Sequence, residues 1–312
     1  GWKNTNKVRP GGGFSYVNPI SKNLGITMSA NYSDQFGRRT TSQTGYEFVA
    51  GTNNATGGSE TEPYLRTLRL SNNERSTTRE AYSFGVDWRP IERLTLNFNY
   101  QYNALDLFTS PRFVTLNSGA APTSKSPTET IGRVGAGTVQ WGSTTTHKMT
   151  DTHMLSLRSV YRGRDWTFEA ATAYSFSDVK YRTMDEGFFR GITLRIPSPT
   201  VRFRNATGDG AIPDIEVFSG NASNLTPIDW TSIGNARIID TTGNNRQNGS
   251  TEDSQLRLSA TRDFNLGSLP ASVEFGGATK TFDRSRKWTR HNFSYRGPDG
   301  VANSPDDVAS AV

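Results

Sequence analysis

The chain has no cysteine, which removes disulfides, thiol catalysis and cysteine-ligated metals together. No apolar run approaches the roughly 20 residues that a membrane-spanning helix needs. Histidine is sparse: His147, His153 and His291 are scattered, with no i, i+4 pair, and are expected to be surface or loop residues rather than metal ligands. No basic block is present either. The net charge of +6 comes from arginines spread along the chain, whereas a nucleic-acid surface gathers its charge on one face, so no nucleic-acid partner is expected. The chain opens without a Met start, a charged n-region or an apolar h-region, so no signal peptide is expected in it. An outer-membrane protein needs one; its absence points to a cytoplasmic protein or to a chain whose front has been removed.

Catalytic signatures are missing as well. Gly132 to Gly137 is glycine-rich but lacks the preceding strand and following helix of a phosphate cradle. Asp209-Gly210 and Asp299-Gly300 read as turns, with too few regularly spaced oxygens for a calcium loop. Neither a nucleophile elbow nor an ordered Ser, His and Asp set marks a hydrolase. The expectation is a protein that is not an enzyme and carries no cofactor.

Apolar residues themselves are scarce. They make up 33% of the 312 residues, where roughly 45–50% (counting Gly) is usual for a soluble domain. Gly, Ser, Thr, Asn and Arg fill the gap. Either much of the chain is disordered, or its architecture has no need of a conventional core. A transmembrane barrel is of the second kind, because its interior is polar and its apolar face looks outward.

What is present is alternation. From Leu94 to Ala104 apolar and polar side chains alternate over eleven positions. In a strand this puts Leu94, Leu96, Phe98, Tyr100, Tyr102 and Ala104 on one face and Thr95, Asn97, Asn99, Gln101 and Asn103 on the other. Similar runs occur at 24–33, 82–89, 153–161, 166–176, 255–260 and 271–276, with a shorter candidate at 11–17. Short connections rich in turn formers centre near residues 20, 91, 164 and 267. Longer polar stretches, 35–62, 107–152 and 181–253, and the tail from Trp288, read as loops.

Strand, short turn, strand, long loop thus repeats four times. Neighbouring antiparallel strands reverse direction, so the short turns must share one end of a sheet and the long loops the other. That is the plan of outer-membrane barrels. The fold class expected is all-β: an antiparallel transmembrane β-barrel segment of about eight strands, with short periplasmic turns and long extracellular loops. Charge placement agrees. The apolar register of 24–32, 82–88, 94–104 and 166–176 holds no charge, while Asp87, Arg89 and Glu169 fall on the opposite set. Arg262 breaks the rule beside a short turn, where it can reach an interface. Trp88 and Trp166 stand at strand ends, where an aromatic girdle belongs.

The stretch from Arg9 to Tyr16, followed by Pro19 to Gly25, resembles the early barrel strands of TonB-dependent outer-membrane receptors. Val86 to Pro90 with Leu94 to Tyr102, and Trp166 to Ser177, are similar to later hairpins of that family. The resemblance implies a plug inside a 22-stranded barrel, coupled to an inner-membrane partner. Neither plug nor TonB-contacting segment is seen here, and the chain ends in Asp306 to Val312 rather than on a strand with a terminal aromatic. A single barrel domain over 1–312, representing the first third or so of a barrel, is the expectation. The partners implied are outer-membrane lipid, the TonB complex through the missing N-terminal region and a small-molecule nutrient, in the bacterial outer membrane. Left open on their own, the two edge strands would be an aggregation hazard.

Recognition by surfaces remains. Asn31, Asp87, Asn99, Gln101, Arg158, Glu169, Arg257 and Glu274 are the expected lumen-facing candidates, and Phe188, Phe189, Trp230 and Phe293 a candidate ligand-catching rim. The function expected is active uptake of a scarce nutrient such as a siderophore-metal complex, vitamin or oligosaccharide. The alternative is a small self-contained barrel acting as a passive channel or a structural or adhesive surface protein. A soluble, carbohydrate-binding sandwich is a third reading.

Overall fold

The computed structural model describes residues 8–47, 63–207, 211–244, 247–302 and 304–307. Strands dominate: β1 (Gly11–Ser21), β2 (Leu24–Glu47), β3 (Tyr64–Ile91), β4 (Leu94–Asn117), β5 (Ser124–Lys125), β6 (Thr130–Ile131), β7 (Thr138–Thr144), β8 (Thr146–Arg162) and β9 (Trp166–Tyr181). Then follow β10 (Gly191–Ile196), β11 (Thr200–Arg204), β12 (Asp214–Asn221), β13 (Asn224–Pro227), β14 (Arg237–Asn244), β15 (Gln247–Leu266), β16 (Leu269–Lys287) and β17 (Arg290–Phe293). Two single turns of 3-10 helix, Met184–Glu186 and Ile233–Asn235, are the helical content of the described residues. All strand pairing is antiparallel.

Eight long strands form one meander in the order β1-β2-β3-β4-β8-β9-β15-β16. They are the eight that alternation marks. The tight connections at one end are Lys22–Asn23, Glu92–Arg93, 163–165 and Gly267–Ser268. The first lies later than composition suggests: Asn18 to Ser21 belong to β1, and Pro19 is tolerated because β1 is an edge strand. Among the described residues β1 and β16 each have one neighbour, so the meander does not close on itself.

Away from the short turns the strands outrun their apolar segments. β2 continues to Glu47 and β4 ends at Asn117, inside stretches that read as loops, and β3 begins at Tyr64, well before its alternating run. Residues 48–62, Asp209-Gly210 and 308–312 lie outside the described residues. The sheet also splits. β4 pairs with β8 as far as Thr109 opposite Thr146, and from Arg112 onward with β7. Pro111, which has no N–H for either ladder, falls in the gap. From β7 this branch runs on through β10, β14 and β17.

A second sheet, β13-β12-β11-β6-β5, covers the split end. Its Val201, Phe203 and Val217 pack on Leu68, Leu116, Val139 and Ile196, which form a single register row across β3, β4, β7 and β10. This is the hydrophobic core, and it lies where the far ends of β3 and β4 meet the segments that connect β4 to β8 and β9 to β15. The row has the same parity along β4 as Leu94 to Ala104. One face of the meander is therefore sandwiched at its far end and bare along the rest. On the bare part Phe14 is 60% exposed, Phe275 57%, Leu258 51% and Trp88 47%. Phe98, Tyr100 and Tyr102 touch their own sheet: Tyr82 stacks on Tyr102 at 5.9 Å and Phe84 meets Phe98 edge-on at 6.3 Å.

Candidate functional site

The polar face of the meander is the candidate site, and its composition follows from strand parity. Asn31, Asp87, Asn99, Gln101, Arg158, Glu169, Arg257 and Glu274 all fall on this one face by register. Asp87, Asn97, Arg158, Ala171 and Arg257 form one row running from β3 to β15. Near the short turns the charges are paired diagonally between strands. Arg158 grips Glu169 through Nε at 2.9 Å and Nη2 at 2.8 Å, and Arg257 stands 3.7 Å from Glu274. Asn97 donates to Asp87. These pairs are exposed and add little to stability; their effect is to hold the wall's charges in place.

Further from the turns, Asn99 and Gln101 line a hollow of about 450 Å3 together with Ser156, Ser175, Thr251 and Gln255. Asp253 also lines it, and is held by Lys280 at 2.8 Å. A second hollow of about 210 Å3 continues from Thr251 and is lined by Lys148, Arg284 and Arg286 with Tyr181, Gln247 and Gly249. Arg286 also lies over the Trp288 ring at 5.9 Å. Reading by residue type misses this basic group. Extending the odd–even register of the short apolar runs into the polar stretches would have found it.

The aromatic candidates divide. Phe188 meets Phe108 edge-on at 5.5 Å, and Phe189 meets Phe293 at 5.6 Å, both pairs beside the one-turn helix Met184–Glu186. Phe189 and Phe293 are exposed. Trp230 instead packs against the hydrophobic core of the two sheets. His147, expected at the surface, is buried in β8 at the split. Its Nε2 lies 2.9 Å from Asp106 and its Nδ1 2.8 Å from Glu186, and its N–H donates to Thr183 Oγ1. It ties β4, β8 and the β9–β10 connection where the sheet divides.

In the cap, hydrogen bonds tune two carboxylates. The Thr231 hydroxyl and N–H hold the Asp229 carboxyl below the usual range, and the Ser304 hydroxyl with the Asp299 N–H does the same for Asp306. Burial, with Glu47 nearby, raises the Tyr64 phenol. Among the described residues no group of three or more His, Cys, Asp or Glu could hold a metal ion. No family model, no curated protein and no solved structure matches the chain.

Proposed function

We propose that this chain is part of the barrel of a TonB-dependent outer-membrane receptor that takes up a scarce nutrient, with energy coupling through a segment outside these residues. The observation that carries the reading is the bare apolar face on the turn-proximal part of the eight long strands. A soluble monomer seldom leaves a contiguous apolar patch of more than a few hundred Å2 open to water. Facing hydrocarbon, the bare face needs no cover.

Its dimensions support the same reading. Leu94 to Ala104 spans about 33 Å along the strand, and a tilt of about 40° reduces this to a height near 25 Å, that of a barrel's apolar band. Aromatic residues mark both borders. Trp88, Tyr161 and Trp166 stand by the short turns, with Arg262 over the Trp166 ring at 5.4 Å. At the other border Tyr82 and Tyr102 point their hydroxyls to Glu80 and Asp151. Glu80, Ala104, Asp151 and Asp178 share a row that closes the band with charge. Tyrosine with an apolar body and a wet hydroxyl suits that boundary. On this reading the polar face lines a water-filled bore, and the two-sheet cap stands outside the cell. The unpaired edges of β1 and β16 would pair with further strands of a larger barrel.

Expressed with the remainder of its gene, the product should sediment with outer membranes and migrate faster unboiled than boiled. Nutrient-limited growth that depends on it should be lost when TonB is deleted. Recovery in the soluble fraction would overturn the membrane reading, and uptake indifferent to TonB would leave only a passive channel.

A further inference from the structure

We infer that the distal part of the polar face binds soluble multivalent anions, small molecules carrying several carboxylates or phosphates. This rests on the reading of that face as the wall of an aqueous bore, and it adds a ligand class to it. Three successive register rows at the level of the smaller hollow carry Arg79, Lys148, Arg284 and Arg286 on this face and no carboxylate. Arg79 and Arg286 belong to the same row, linked through Leu105, Thr150, Val179 and Gly249. Among the described residues, none of Lys148, Arg284 and Arg286 has a carboxylate within 4.0 Å. The nearest acid on the face, Asp253, is already held by Lys280.

The opposite face at this height has an acidic excess, with Glu80, Asp106, Asp151, Asp178, Glu252 and Asp283 against Lys180, which pairs with Asp178, and Lys287. Cations gathered on one side of a thin sheet and anions on the other produce a field across it. A concave wall of one sign concentrates counter-ions. Gly249 leaves the hollow's floor without a side chain, while Tyr181, Gln247 and Thr251 add neutral hydrogen-bonding groups to its lining. Guanidinium groups suit carboxylate and phosphate oxygens, which they can grip two at a time. Toward the short turns the wall carries both signs, with Arg158 paired to Glu169 and Arg257 beside Glu274. An anion drawn to the basic level therefore passes onto a wall with no comparable excess charge.

The test is calorimetric titration of the 312-residue chain, refolded in zwitterionic detergent, with citrate and with maltose as a neutral probe. Citrate is expected to bind, more weakly as salt rises, and maltose at least about tenfold more weakly. A Lys148→Gln/Arg284→Gln/Arg286→Gln variant should lose at least about tenfold in citrate affinity. Lys148→Arg should keep most of it, and Arg262→Gln on the other face all of it. Heat-modifiable migration checks that each variant is folded. Citrate binding no tighter than maltose, or binding unchanged in the triple variant, would overturn the inference. Co-sedimentation with liposomes reads membrane insertion separately, so the two ideas fail independently.

Discussion

Phe203→Ala should destabilise the two-sheet cap by about 3–5 kcal/mol, the cost of truncating a fully buried aromatic and leaving a cavity. Phe203 is completely buried in β11, opposite Ile215 and Thr130, in the cluster that joins both sheets. The hydrophobic core of the described residues lies here, so the loss falls on the cap rather than on the hairpins below. Hydrogen exchange of the β10 and β11 amides, followed in urea, measures it. Protection in those strands should collapse while that of β3 and β4 near the short turns persists. A cost under about 1 kcal/mol would mean that the second sheet does not depend on this packing.

The second large effect compares neighbours on β8. Leu157, 44% exposed on the bare face, is opposite Phe98 and Thr172. Ser156 is on the polar face and lines the larger hollow. Leu157→Arg in phospholipid vesicles should cost about 2–4 kcal/mol, the penalty for a cation near the middle of a bilayer. Ser156→Arg should cost under about 1 kcal/mol, since it adds charge where water already reaches. Guanidine unfolding from vesicles gives both numbers. Equal costs would remove the distinction between the faces.

The hairpins were legible in the sequence because one face of each is apolar and the other polar, so parity shows through in short runs such as Leu94 to Ala104. The far halves of the same strands were not. Asn72, Asn73, Glu74 and Arg75 follow one another within β3 with polar groups on both faces, and backbone pairing to β2 and β4 holds them extended without any side-chain period. The cap was hidden for another reason. Leu68, Leu116, Val139 and Ile196 form one row in space but are isolated apolar residues in chain order. The first short turn was displaced because Asn18, Pro19 and Ser21 resemble turn formers, while β1 accepts them as an edge strand. The eight polar-face candidates followed from parity alone. Lys148 escaped because it lies in a stretch that reads as loop, and Arg284 and Arg286 because they lie beyond the alternating run 271–276 of their strand.

The claim on which the account rests is that the bare face meets hydrocarbon and the other face meets water. Since the chain has no cysteine, single cysteines can be placed from Asn97 to Tyr102 and spin-labelled without altering any other position. In liposomes, labels at 98, 100 and 102 should relax with oxygen, which partitions into lipid, and labels at 97, 99 and 101 with a water-soluble nickel chelate. A reversed pattern, or labels equally open to the chelate at all six sites, would contradict it.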